Sequence, residues 1–272
     1  MSNAKGSAAM QRAETCHFGD SKLSVRGPVR ELDQPYMAFL GSTEVYGRFI
    51  DTPFPEDVET LLQMPCVNFA AINGGLDSYI FDPTLREMAA GADIAVVQVM
   101  GAQNLSNEFY KVHPRRNDRF LMAHDALLDL YPDVDFTEFH FNRHMLNHLE
   151  ELSSSRFLQV KEHVQSVWVA RMQALIADLH GDTVLLWLQY SAKQPAGLVQ
   201  EPVWVDRSMV DALRSNVADV FELQLATAQE ADDFAGMAIG KSDLAAARVT
   251  IGPREQHRIA CALATRILQV LE

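Results

Sequence analysis

The run Asp93–Met100 constrains the fold more than any other segment of this 272-residue chain. It is almost continuously apolar and rich in β-branched side chains. A strand with one face in water alternates between apolar and polar residues, whereas a continuous apolar run is typical of a parallel strand covered by helices on both faces. The segment therefore predicts the central strand of an α/β sheet.

Other strand-like runs alternate with helical patterns along the chain. The predicted strands are Tyr36–Leu40, Cys66–Ala70, Asp93–Met100, Thr183–Tyr190 and Val220–Ala226. The predicted helices are Pro55–Gln63, Gly75–Ala90, Asn117–Leu130, Asp135–Leu152, Ser154–His180, Arg207–Asn216 and Pro253–Leu271. This alternation favours right-handed βαβ units in a mostly parallel, doubly wound sheet, which makes a three-layer αβα sandwich.

The chain is interpreted as one domain with two additions. Residues 1–33 are polar and are expected to form an N-terminal arm lying over a single α/β domain at residues 34–272. Three of the predicted helices, at about residues 117–180, fall between the third and fourth strands as a helical insertion. Such an insertion usually forms a cap or a face for homo-oligomerisation.

Composition excludes some classes of partner. The formal net charge of -13 argues against an extended nucleic-acid surface, because phosphate backbones are bound by an excess of Lys and Arg. No apolar run approaches the ~20 residues needed to span a bilayer. The three cysteines are widely spaced and predict free thiols in a reducing cytoplasm, with Cys66 as a small core residue.

No metal or cofactor is predicted. His140, His144 and His148 recur every four residues and so share one helical face, but no third ligand is fixed elsewhere and the metalloprotease glutamate is absent. We expect these histidines to form a polar face of the insertion.

Two Gly-x-Ser/Thr turns compete as the functional one. Gly19-Asp20-Ser21 follows a segment with too few apolar residues for a buried strand. The segment Gly41–Gly47 follows the predicted strand Tyr36–Leu40 directly, so Ser42 and Thr43 are expected at the carboxyl edge of the sheet, where ligands of open α/β folds bind. We therefore choose the second turn.

Three more polar loops are expected to meet at that edge. They are Ala71–Gly75, which includes Asn73 and paired glycines, Gly101–Asn107, which includes Gln103 and Asn104, and Gln189–Lys193. Paired glycines can present backbone N–H groups, and amide side chains can stabilise an oxyanion. These loops predict a pocket for a small-molecule ligand or substrate.

The order of these blocks resembles the SGNH, or GDSL-type, hydrolase superfamily. Residues Phe39–Gly47 are similar to its first block, with Thr43 at the nucleophile; Gly74 or Gly75 and Gln103 resemble its oxyanion positions, and Gly101–Asn104 its Gly-x-Asn-Asp block. The resemblance covers most of the chain from Tyr36 onward. It implies a flavodoxin-like three-layer fold and an ester or acyl hydrolase.

The chain departs from the family at several catalytic positions. Threonine replaces the serine, Gln103-Asn104 replaces the Asn-Asp pair, and Gly252 and Val249 stand where the family has its histidine and aspartate. A hydrolytic triad needs a base within hydrogen-bond reach of the nucleophile. The resemblance therefore supports the fold more than the activity.

Several residues are candidates for the missing roles. His257, near the start of the last helix, and His113, after the third strand, are candidate bases. Glu44 is either a base or cation-binding group in the pocket, or a solvated side chain. Arg115 and Arg116 either hold a carboxylate, phosphate or sulfate bidentately or pair with surface acids.

Two functions therefore stay open at this point. In the first, Thr43 or Ser42 attacks an ester or acyl group of a small anionic or carbohydrate-derived substrate, and Gly75 with Gln103 and Asn104 stabilises the oxyanion. In the second, the chain is a ligand-binding or interaction protein that retains the pocket without a working triad.

Overall fold

The computed structural model describes residues 15–190 and 202–271. The strands are β1 Thr15–Cys16, β2 Val25–Arg26, β3 Met37–Leu40, β4 Cys66–Asn68, β5 Ile94–Gln98, β6 Tyr110–His113, β7 Arg116–Ala123, β8 Asp182–Tyr190 and β9 Asp219–Leu225. The helices are α1 Thr43–Tyr46, α2 Phe54–Leu62, α3 Leu76–Ile80, α4 Pro83–Ala90, α5 Asp125–Leu130, α6 Asn142–Leu152, α7 Ser154–Asp178, α8 Arg207–Asp211, α9 Ala228–Ala231, α10 Leu244–Arg248 and α11 Pro253–Leu271.

A five-stranded parallel sheet forms the middle layer, in the order β4-β3-β5-β8-β9. Relative to the chain this is the 2-1-3-4-5 order of flavodoxin-like folds. β4 is added on one side of β3 and β5 on the other, so the strand order switches between β3 and β5. A crevice opens at the carboxyl ends of the two strands that flank such a switch. The predicted α/β sandwich is confirmed, and β5 is its central strand.

Both faces of the sheet are covered because successive side chains of a strand point in opposite directions. In β3, Met37 and Phe39 pack in the cluster that includes α2 and α11, whereas Ala38 and Leu40 pack in the cluster that includes α4 and α7. Side chains of α7 at three- and four-residue spacing are fully buried: Val160, Val164, Trp168, Met172 and Leu175. This stripe docks the longest helix of the chain onto the sheet.

The insertion is not purely helical, so the predicted helix Asn117–Leu130 is wrong in its first half. Residues Tyr110–Ala123 form an antiparallel hairpin of β6 and β7, in which His113 pairs with Arg116 across a two-residue turn. Every side chain of β6 that faces the core is fully enclosed, including Tyr110 and Val112. Packing of this apolar face overrides the low strand propensity of the asparagine and aspartate in β7.

Other elements differ from the prediction mainly at their ends. The predicted helix Gly75–Ala90 is two helices, because Pro83 begins α4 and the Asp82 side chain caps it by accepting the Leu85 N–H. The predicted helix Arg207–Asn216 ends as α8 and continues as a 3₁₀ turn at Arg214–Asn216.

The described part of the N-terminal arm packs into the domain. Phe18, Leu23 and Val25 are buried in the same cluster as the sheet. The Arg26 guanidinium, also buried, donates hydrogen bonds to the carbonyls of Tyr46, Gly47, Ile50 and Asp51 at 3.3, 3.3, 3.0 and 2.6 Å. Arg26 thus fixes the loop that follows α1.

Ser21 of the rejected Gly-Asp-Ser turn serves structure. Its hydroxyl donates to Asp82 at 2.6 Å and accepts the Leu23 N–H at 3.1 Å.

No helix in the described ranges is both long and apolar enough to cross a bilayer.

The thiols of Cys66 and Cys261 are expected to differ in reactivity. Cys66 is buried as predicted, and burial raises the pKa of its thiol, whereas Cys261 is exposed. Because the thiolate is the reactive form, iodoacetamide at pH 8 should alkylate Cys66 at least about tenfold more slowly than Cys261 in the folded protein. Mass mapping of the labelled peptides measures this, and labelling in denaturant, where the difference should vanish, is the control. Equal rates in the folded state would contradict the buried position of Cys66.

Candidate functional site

A cavity of ≈ 690 Å³ lies at the crevice between the carboxyl ends of β3 and β5. Polar side chains from six parts of the chain line it. They include Ser42, Thr43, Glu44, Asn73, Gln98, Gln103, Asn104, Asp118, His144, Asn147 and Tyr190. The structure therefore brings together the predicted loops after the first three sheet strands.

The turn after β3 is tightly constrained. The Tyr79 hydroxyl of α3 donates to the Gly41 carbonyl at 2.5 Å and accepts the Gly41 N–H at 3.2 Å. A Cβ at Gly41 would lie 2.4 Å from Val45 Cγ2 and 2.6 Å from Gln98 Oε1, so only glycine fits. This close packing sets the direction in which Ser42 and Thr43 enter the cavity.

Glu44 faces the cavity rather than bulk solvent. Gln98, at the end of β5, accepts the Ser42 N–H at 2.8 Å and donates to the Glu44 carboxylate at 3.0 Å. The Tyr190 hydroxyl donates to the other oxygen of Glu44 at 3.1 Å. Two strand ends therefore hold this carboxylate in a fixed orientation.

The Thr43 hydroxyl bonds to Asn73 rather than to a base. It accepts the Asn73 N–H at 3.1 Å and donates to the Asn73 side-chain oxygen at 3.4 Å. The Asn73 amide in turn donates to Asp118 Oδ2 at 3.4 Å. Asn73 adopts a left-handed backbone with φ of 56°, a conformation that asparagine tolerates better than most residues.

Asp118 is a member of the site that the sequence did not predict. Its Oδ1 is buried and has no hydrogen-bond partner among the described residues. Burial raises the pKa of this carboxyl, against the opposing effect of the nearby Arg119 and Arg116 guanidiniums. A strand prediction for residues 116–123 alone would not have placed Asp118 at the cavity, because that position depends on how the hairpin docks.

The Asn117 side chain accepts the Gly75 N–H, which was the predicted donor to an oxyanion. Its side-chain oxygen accepts the N–H groups of Gly75 and Ser78 at 2.9 and 3.2 Å and the Ser78 hydroxyl at 2.8 Å. Its amide donates to the His113 carbonyl at 2.9 Å. Fully buried, Asn117 caps the start of α3 and joins it to the hairpin, so the Gly75 N–H does not point into the cavity as a free donor.

The two amides after β5 have different surroundings. Asn104 Oδ1 accepts the Asn142 side-chain N–H at 3.0 Å, which ties the loop to α6. Gln103 is buried, and its Oε1 has no hydrogen-bond partner in the described part of the chain. The Gln103 oxygen thus lies buried without a partner, whereas the Asn104 oxygen is hydrogen-bonded.

Neither predicted histidine base lies beside the hydroxyls. His257 is exposed on α11 and bonds Asp57 at 3.1 Å, outside the cavity. His113 Nδ1 accepts the N–H groups of Arg115 and Arg116 at 3.2 and 3.1 Å, in a groove next to the cavity. Within residues 15–190 and 202–271, no histidine nitrogen is hydrogen-bonded to Ser42 or Thr43.

The start of α11 has no space for a side chain at Gly252, where the resembled family has its catalytic histidine. A Cβ at Gly252 would lie 2.1 Å from the Asp233 carbonyl oxygen. The Asp233 carboxylate accepts the N–H groups of Arg254 and Glu255 at 2.9 and 3.1 Å and so caps the helix. Ser191–Lys193 of the predicted fourth loop lie outside the described residues.

Metal-binding geometry is absent from the described residues, since no group of three or more His, Cys, Asp or Glu side chains is placed to hold an ion. The three spaced histidines have separate surroundings: His140 lines the adjacent groove, His144 lines the cavity, and the rings of His144 and His148 contact Phe139.

The sequence profile of the family described as "Domain of unknown function (DUF6473)" matches residues 1–271. The chain belongs to that family. No curated protein matches it. Among solved structures, the lipase Lip_vut3 from a goat rumen metagenome is similar at 13% identity, with 87% of this chain and 97% of the lipase covered and a TM-score of 0.40. So distant a likeness carries no inference about activity, and the SGNH resemblance stays a prediction.

Replacing Asn117 by alanine is expected to destabilise the fold by about 2–4 kcal/mol, because several buried donors at the start of α3 lose their acceptor. Chemical denaturation with circular dichroism measures the free energy of unfolding. Asn147→Ala is the matched control, since Asn147 is exposed on α6, and should change stability by less than about 0.5 kcal/mol. Equal effects of the two substitutions would show that Asn117 does not hold the hairpin to α3.

Proposed function

We propose that this protein binds a small carbohydrate-like molecule in the cavity at the carboxyl ends of β3 and β5, and that it does so without a Ser/His/Asp-type triad. The observation that carries the proposal is the polar lining of this cavity, in which Gln103 and Asp118 each have a buried side-chain oxygen with no hydrogen-bond partner among the described residues.

Unpaired buried oxygens favour a ligand rich in hydrogen-bond donors. A polar atom that is removed from water without a partner costs about 1–3 kcal/mol, and native proteins leave few such atoms. Gln103 Oε1 and Asp118 Oδ1 are both acceptors, so a ligand that satisfies them brings O–H or N–H groups. Adjacent hydroxyls on a sugar ring have that chemistry.

The arrangement around Thr43 favours binding over hydrolysis. Its hydroxyl exchanges hydrogen bonds with Asn73, whose amide has no useful basicity. The Gly75 N–H, which would stabilise an oxyanion in the family arrangement, is bonded to Asn117. Both the base and one oxyanion donor of a hydrolase are therefore missing from the described site.

Acyl hydrolysis is the second candidate function. It is favoured by one observation: Thr43 and His144 line the same cavity, although no hydrogen bond joins them. In that case His144, which the sequence analysis assigned to a polar helix face, would be the base.

Binding is tested by saturation-transfer NMR with glucose, glucosamine and N-acetylglucosamine. At least one of these sugars should bind, and Gln103→Leu should weaken it at least about tenfold, because an acceptor to the ligand is lost. The same substitution should leave the free energy of unfolding unchanged or raised, since the oxygen it removes has no partner in the free protein. Gln173→Leu on the exposed side of α7 is the control and should retain the affinity.

Failure of all three sugars to bind would overturn the proposal. Binding that Gln103→Leu does not weaken would also overturn it, because the ligand would then lie elsewhere.

The hydrolase alternative is tested by turnover of p-nitrophenyl acetate. We expect the wild type, Thr43→Val and His144→Ala to give the same slow rate, within about twofold, because no base activates the Thr43 hydroxyl. A rate that falls at least about a hundredfold in both variants would establish acyl hydrolysis at Thr43 instead.

A further inference from the structure

A second groove, of ≈ 800 Å³, meets the cavity at three shared residues, Arg48, Asn73 and Asp118. One side of the Asn73–Asp118 pair therefore faces the polar cavity and the other faces this groove. A ligand that fills the cavity can extend past the pair into the groove without crossing the protein core.

The groove is strongly basic, although the chain has a net charge of -13. The cations that line it are Lys22, Arg48, Arg115, Arg116 and Arg119. Asp118 is the single carboxylate among its described lining residues, and it lies at the junction with the cavity. Such a concentration of one sign attracts ligands of the opposite sign.

Most arginines of this acidic chain are paired with a carboxylate, as Arg171 is with Asp77 and Arg266 with Asp219. By contrast, Arg115, Arg116 and Arg119 make no ion pair within the described residues, and all three are exposed. The groove thus gathers three exposed guanidiniums that have no ion pair among the described residues.

The backbone beneath Arg115 and Arg116 is held in one conformation. The His113 ring accepts both of their N–H groups, and the Asn117 side chain donates to the His113 carbonyl. A ring nitrogen that accepts is unprotonated, so in the neutral imidazole Nε2 carries the proton and is itself a donor. The turn therefore presents two guanidiniums and an imidazole N–H from a fixed frame, which lowers the ordering cost of binding.

We propose that the groove binds a phosphate or sulfate ester group of the ligand whose sugar-like part occupies the cavity. This proposal rests on the proposed function for the sugar part alone; the groove supplies the anion site. Guanidinium forks match the geometry of tetrahedral oxyanions and bind them bidentately. The substrate or ligand class is accordingly an anionic carbohydrate ester.

Isothermal titration calorimetry with glucose, glucose 6-phosphate, glucose 6-sulfate and inorganic phosphate tests the proposal. At least one of the two esters should bind at least about tenfold more tightly than glucose, and Arg115→Ala/Arg116→Ala should remove that difference while leaving glucose binding unchanged. Comparison of the two esters tells which oxyanion the groove accepts. Gln103→Leu should weaken both esters and glucose.

The matched control is Lys111→Ala/Lys241→Ala, which removes the same charge at exposed positions outside the groove. It should retain the preference for the ester, whereas loss of the preference would indicate a general effect of net charge and overturn the proposal.

The remaining outcomes separate the two proposals. If glucose binds and neither ester binds more tightly, the groove proposal fails and the sugar cavity stands. If no sugar binds but inorganic phosphate does, in a manner that depends on Arg115 and Arg116, the cavity proposal fails and the anion site stands. Binding of a single-stranded oligonucleotide that tightens with length, with no competition from the esters, would overturn the groove proposal in favour of nucleic acid.

Discussion

The fully buried side chain of Asn117 is the interaction on which the site depends. One amide group joins two segments that are distant in sequence: the start of α3 with the glycine before it, and the turn of the β6–β7 hairpin. Its neighbour Asp118 consequently reaches the sheet edge, and the turn with Arg115 and Arg116 lies beside it. The same bond withdraws the Gly75 N–H from the cavity, so one contact both assembles the binding surface and removes an element of hydrolytic chemistry.

The sheet could be predicted because three of its strands are almost continuously apolar. The runs around Met37–Leu40, Ile94–Gln98 and Asp182–Tyr190 are buried on both faces, and nothing but a covered parallel sheet accommodates them. The hairpin at residues 110–123 could not be predicted in the same way. Its second strand mixes arginine, asparagine and aspartate with a few apolar residues, a composition that fits an amphipathic helix, and the pairing with β6 that decides the matter is a tertiary contact.

The same contrast explains which site residues the sequence predicted. Ser42, Thr43, Glu44, Gln103 and Asn104 follow parallel strands directly, and the geometry of a parallel sheet brings such positions together whatever their side chains. Tyr190 ends β8 and belongs to the loop that was predicted after it. Asp118 and His144 instead reach the cavity from a hairpin and from the face of a helix. Their arrival depends on how those elements dock, which sequence spacing does not encode. His257 lies close in sequence to the segment that resembles the family's last block, but it is exposed on α11. Closeness in sequence does not decide which way a side chain of a helix points.

The Arg26 guanidinium makes the N-terminal segment part of the site. Its bonds satisfy the backbone oxygens of the loop between α1 and α2, and that loop carries Arg48, which borders both the cavity and the groove. A recombinant fragment that begins at residue 34, where the apolar pattern begins, would lack Arg26. The backbone oxygens of the loop would then lose their donor, and the position of Arg48 would no longer be fixed. The N-terminal segment therefore stabilises the loop that carries Arg48. Fragments of this chain designed from hydropathy alone would lose the fixed border between the cavity and the groove.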